Sequence, residues 1–138
     1  MELYVNCNNI RIFALQLYDF IQTYLAKHYH VKYEIDSNCI YIGYKTFYAY
    51  IFMKDVNITE LMMDEFEVSV NNAIIINIYN KMYKEALMDI SAIVNWLKQD
   101  PIQDFILLDE QSVEILCRKQ GKMIVNSDYE HFPFELIG

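Results

Sequence analysis

The feature that most constrains this chain is a change of hydrophobic period near residue 100. Between residues 81 and 98, Tyr83, Ala86, Leu87, Ile90, Ile93, Val94 and Leu97 recur at a spacing that places them on one helix face. Pro101 is expected to end that helix, because a proline disfavours helical angles in the residue before it. The period then drops to two. Residues 104–108, 113–118 and 122–126 read as three short strands joined by tight turns. In the middle strand Val113, Ile115 and Cys117 are expected to face one way, and Glu114 and Arg118 the other. Trp96 falls about 120° off the centre of the helix stripe, so it is either exposed or, the favoured expectation, covered by the first helix.

Upstream, the same two periods recur. Residues 1–6 alternate weakly and predict a first strand, after which Asn8 or Asn9 offers a helix N-cap. Ile10, Phe13, Ala14, Leu17, Phe20, Ile21, Tyr24 and Leu25 form a helical stripe about five turns long. Residues 31–35 read as a strand and Asp36-Ser37-Asn38 as a turn. The β-branched and aromatic run 39–53 divides into two strands at Gly43 or at Lys45-Thr46. Residues 64–70 and 73–79 predict a further strand pair around Asn71-Asn72, because asparagine tolerates the angles of a two-residue hairpin turn. The expected fold is a single α+β domain over residues 1–138: a mostly antiparallel sheet with two long amphipathic helices packed on one face.

Composition narrows the function. With 54% hydrophobic and 22% charged residues, the chain has enough apolar surface to offset ordering entropy. A net charge of −8 repels phosphate backbones, so nucleic acid is not an expected partner. The same charge favours a basic protein partner, or serves solubility alone. The densest basic run, Arg118, Lys119 and Lys122, reads as a solvated turn. Cys7, Cys39 and Cys117 are far apart and odd in number, as expected of reduced thiols in a cytoplasmic protein. Glu2 and the lack of a basic first segment argue against a secretory signal. Apolar runs broken by Arg11, Asp19, Lys27 and Lys45 fall short of the roughly 18 residues of a membrane span. The expected location is therefore the cytoplasm, where the Asn57-Ile58-Thr59 sequon has no consequence.

Reactive chemistry is sparse. His28 and His30 have the alternate spacing of strand metal ligands, with His131 as a third, but histidines at such a junction are commonly plain surface residues. Glu130-His131 beside Asp128 and Ser127 offers a general base, but adjacency in sequence is not the geometry of a triad. No catalytic residue, metal or cofactor is expected. Tyrosine stands out at 12 residues, with Tyr33, Tyr41, Tyr44, Tyr48 and Tyr50 clustered. Such a cluster fits an interface, and equally a genome rich in A and T codons.

From the second helix onward the chain resembles the SitI-type immunity family of bacterial polymorphic toxin systems. The resemblance lies in "FEVSV", "ALMDISAIVNWLKQ", "DPIQD", "FILLDEQS", "VEILCRK", "QGK" and "MIVN", over about residues 66–132. Gln103 stands where the family usually has Gly, and Glu110-Gln111 where Asn-Gly is typical. The resemblance implies a small cytoplasmic protein that binds and neutralises a cognate toxin, and it brings no catalytic residues. If the last three strands run up, down and up, one end gathers Asp109, Glu110, Asp128 and Glu130, with Tyr129 and Phe132 between them. Those six are the expected contacts to a basic toxin, the alternative being an ordinary polar rim followed by a packed C-terminal tail, and Lys119 and Lys122 fall at the opposite end. The alternatives are an adaptor module with an endogenous partner, or a small-ligand site between helices and sheet.

Overall fold

The computed structural model describes residues 1–53, 57–100 and 103–138. Its strands are β1 (Glu2–Val5), β2 (Lys32–Ile35), β3 (Cys39–Gly43), β4 (Phe47–Phe52), β5 (Asn72–Ile78), β6 (Phe105–Leu108), β7 (Glu114–Lys119) and β8 (Lys122–Val125). They form one eight-stranded sheet in the order β2-β3-β4-β5-β1-β6-β7-β8, with each neighbouring pair antiparallel. The helices are α1 (Ile10–Phe20, continued by a wider turn over Ile21–Leu25), α2 (Ile58–Phe66) and α3 (Tyr83–Leu97). The fold class is α+β, as the sequence predicts. Among the described residues no helix is long and apolar enough to cross a membrane.

Alternation along the strands sorts the side chains. In β4, Phe47, Ala49 and Ile51 are buried, while Tyr48, Tyr50 and Phe52 point the other way. The buried set joins Leu3, Val5, Ile40, Ile42, Phe105 and Leu107 in one apolar cluster. Both long helices feed that cluster, α1 through Phe13, Ala14, Leu17 and Ile21, and α3 through Leu87, Ile90, Ile93, Val94 and Leu97. Asn9 is the N-cap of α1, its Oδ1 accepting from the backbone N–H groups of Arg11 and Ile12. Trp96 is half-buried as expected: its ring stacks on Phe20 at 5.5 Å and tilts against Phe13 at 5.7 Å.

The opposite face holds a second cluster, in which Ile58 and Met62 of α2 meet Val68, Val70, Ile106, Leu108 and Cys117. β6 is thus covered on both sides, which is why Phe105, Ile106, Leu107 and Leu108 form an unbroken apolar run. Beyond Ile75 this second cluster stops, and Tyr50, Phe52 and Tyr79 are exposed.

The structure corrects several expectations. Residues 64–70 are not a strand. α2 runs to Phe66, Glu67 closes it with left-handed angles (φ 57°), and the Val68/Val70 alternation reflects burial in the second cluster. Asn71-Asn72 is not a hairpin turn either. Asn72 begins β5, which pairs with β1 and β4, and the Asn71 side chain instead bonds the backbone of Cys7 through both its ends. In β7 a register shift opposite Leu107 and Leu108 breaks the alternation. Ile115 and Leu116 then both join the first cluster while Cys117 joins the second. Arg118 is not solvated: it is 3% exposed, lies 5.2 Å over the Phe105 ring and donates from Nη1 to the Asp100 carbonyl. Pro101, the expected stop for α3, lies outside the described residues; the helix itself ends at Leu97.

Candidate functional site: an acidic corner and a tyrosine face

The β6–β7 connection is organised by Asp109. Its backbone N–H donates to the Val113 carbonyl, and Ser112 takes left-handed angles (φ 61°) to close the turn. Oδ1 of Asp109 accepts from the N–H groups of Gln111 and Val113, each at 2.9 Å. Its Oδ2 accepts from the Tyr129 hydroxyl at 3.1 Å. One carboxylate therefore fastens the tail after β8 to the first turn, as the up-down-up reasoning requires. Burial, then the Asp109 hydrogen bond, pushes the Tyr129 hydroxyl far above its ordinary range. Tyr83, at the start of α3, is raised by burial and then by Glu110 and Asp109, which places it in the same field.

The six expected contact residues divide. Glu110, Asp128 and Glu130 are exposed, and Glu130 holds His131 at 3.7 Å on the surface. Asp109 is 8% exposed, with both oxygens engaged in the turn and the clasp. Phe132 lies in the main core cluster against Phe134, so its ring offers little area to a partner. Tyr129 is half-buried between these two groups.

The tyrosines also divide, by strand parity. Tyr44 is buried on the helix-covered side and donates to the Leu25 carbonyl at 3.0 Å, and burial pushes its hydroxyl up to about 12. Tyr33 lies against Tyr18 of α1. Tyr41, Tyr48 and Tyr50 instead meet on the opposite face and are joined by Tyr79, with ring centroids 5.3 to 6.2 Å apart. Sequence reasoning noticed the cluster but not its face. Alternation through Phe47-Tyr48-Ala49-Tyr50-Ile51 carries the missing signal. Register sets Phe47 opposite Ile78, and Glu2 opposite both Ile75 and Leu108. Tyr48, Tyr79 and Asp109 therefore share one end of the sheet, while the Lys119–Lys122 pairing lies at the other.

Among the described residues no three His, Cys, Asp or Glu side chains are grouped to hold a metal ion. Burial pushes the Cys7 thiol up to about 11 and the Cys117 thiol up to about 12, so both stay protonated and weakly nucleophilic near neutral pH. Among the described residues, the helices meet the sheet through the main core cluster. A groove of about 560 Å³ opens between α1 and α3, over Phe20, Tyr24 and Trp96. The arrangement can bind through a charged corner and an aromatic face. Comparison of the chain with protein-family models, with curated proteins and with solved structures found no match.

Proposed function

We propose that the chain is an immunity protein that binds a cognate bacterial toxin in the cytoplasm and neutralises it by non-covalent occlusion. The observation that carries this reading is the corner built by Asp109 and Tyr129. A hydrogen bond between turn and tail holds Glu110, Asp128 and Glu130 out from one end of the sheet. Preorganised acids on a rigid frame speed encounter with a basic surface and exclude like-charged partners. The net charge of −8 and the resemblance of residues 66–132 to the SitI-type family support the same reading. An acidic surface also disfavours nucleic acid as a competing partner. Co-expression with the toxin encoded beside it tests the proposal. Growth should be restored and the two proteins should co-purify in a salt-sensitive complex. Unrelieved toxicity from every neighbouring toxin gene would count against it.

A further inference from the structure

The outward rows of β2 to β5 carry chemistry that the acidic corner does not use. Register aligns Glu34, Tyr41, Tyr50, Ile75 and Glu2 in a single row across the sheet. At about 4.8 Å per strand, the backbones of Glu34 and Glu2 stand about 19 Å apart with the tyrosines between them. The next row is Lys32, Gly43, Tyr48 and Asn77. A Cβ at Gly43 would stand 2.8 Å from the Tyr41 hydroxyl, so a side chain there would push that ring off the strand.

The geometry of the rings selects the occupant. Tyr41 and Tyr50 pack at 52° and Tyr48 and Tyr50 at 88°, so together they present tilted faces and edges instead of a flat platform. Nucleobases and sugars stack on flat platforms. The depression lined by Glu34, Asp36, Tyr41 and Tyr50 measures about 490 Å³, and Lys32 also lines it. Tilted ring faces fit a compact planar cation, and the Glu34 and Asp36 carboxylates in the same depression, against the single Lys32, set the sign of its charge. Burial, and then the neighbouring Tyr79, Tyr50 and Glu34, raise the Tyr41 hydroxyl, so it stays a neutral ring near neutral pH. Arginine has the planar, weakly hydrated head group that stacks on aromatic faces while bonding a carboxylate in its own plane.

We propose that this face receives an arginine side chain of the basic partner protein, its guanidinium lying against the Tyr41 and Tyr50 rings from the depression and its outer N–H groups on Glu34. The proposal rests on reading the chain as a binder of a basic toxin, and adds the surface and the side chain by which that toxin docks.

The test needs no toxin. Protein with isotope-labelled tyrosine rings is titrated with acetyl-Gly-Arg-Gly-Arg-Gly-amide at low salt, and with the lysine and citrulline versions of that peptide. The arginine peptide should shift the Tyr41, Tyr48 and Tyr50 rings saturably. The lysine peptide should bind about two- to fivefold more weakly, and citrulline should have no effect. Tyr50→Leu and Glu34→Gln, both at exposed positions, should each weaken arginine binding about two- to fivefold in proteins that still fold. Equal shifts with citrulline, shifts confined to Tyr83 and Tyr129, or stronger binding of an oligothymidylate or a chito-oligosaccharide would each overturn the proposal. A chain that protects cells but whose rings ignore the arginine peptide sinks the face and spares the toxin reading. Rings that answer the peptide without protection spare the face alone.

Discussion

Replacing Asp109 separates its two possible roles, a partner contact and a clasp inside the fold. The carboxylate is 8% exposed and accepts three hydrogen bonds, at 2.9, 2.9 and 3.1 Å. Hydrogen bonds to a charged group contribute roughly 1.5–3 kcal/mol each, but the Gln111 and Val113 donors lie in an exposed turn where water can replace the lost acceptor. Asp109→Ala should therefore cost about 2–3 kcal/mol in all. Tyr129→Phe, which loses a single bond from a half-buried hydroxyl, should cost about 1 kcal/mol. Urea denaturation measures both, as shifts of the midpoint at unchanged slope. The double variant decides the matter. If the clasp is real, its cost falls short of the sum of the singles by about 1 kcal/mol, the coupling expected of directly bonded groups. A coupling within about 0.3 kcal/mol of zero would refute the clasp and return Asp109 to the list of free acids.

Other consequences concern the frame. Ile90→Ala on α3 empties a fully buried position in the main cluster and should cost about 2–5 kcal/mol in the same denaturation assay; a loss below about 0.5 kcal/mol would refute the face assignment. Ser112→Gly relieves a left-handed residue and should gain up to about 1 kcal/mol in midpoint-derived stability. The Asp89 carboxyl is raised above its ordinary value, chiefly by burial and partly offset by the Thr46 hydroxyl that donates to it at 2.8 Å. The folded chain thus holds that proton more tightly than the unfolded one. Its contribution is fully present below about pH 3.9 and is lost as pH rises through the raised folded value. Asp89→Asn, which keeps an acceptor for Thr46, should become progressively more stable relative to the parent as pH rises through that window; a pH-independent difference would contradict this assignment.

Much of the frame was legible because single elements carried their own signal. The α3 stripe from Ala86 to Leu97, the α1 stripe behind Asn9, and the Phe105–Leu108 run each imply burial before any partner is known. What escaped was pairing. A four-residue β1 says nothing of its place between β5 and β6, because pairing across long separations leaves no local pattern. α2 was misread because it has nine residues with only Ile58 and Met62 buried, too short a stripe to outweigh the alternating Val68 and Val70 after it. The β7 faces were lost to one bulge, since a one-residue slip exchanges the sides of a strand. At the site, "DEQS" shows its acids but not their work. That Asp109 bonds the turn and Glu110 does not is a matter of geometry, although an aspartate two residues before a free N–H is a known turn-former.

The central claim is that an acidic corner steers this protein onto a basic toxin. Asp109 must be spared in testing it, because reversing a clasp residue would confuse misfolding with lost recognition. The direct measurement is stopped-flow association of the purified toxin with the Glu110→Lys, Asp128→Lys, Glu130→Lys triple variant, across a range of salt concentrations. The account predicts that association slows by about tenfold or more at low salt and loses most of its salt dependence, while dissociation changes little. A folded triple variant that associates at the parental rate with the parental salt slope would contradict it.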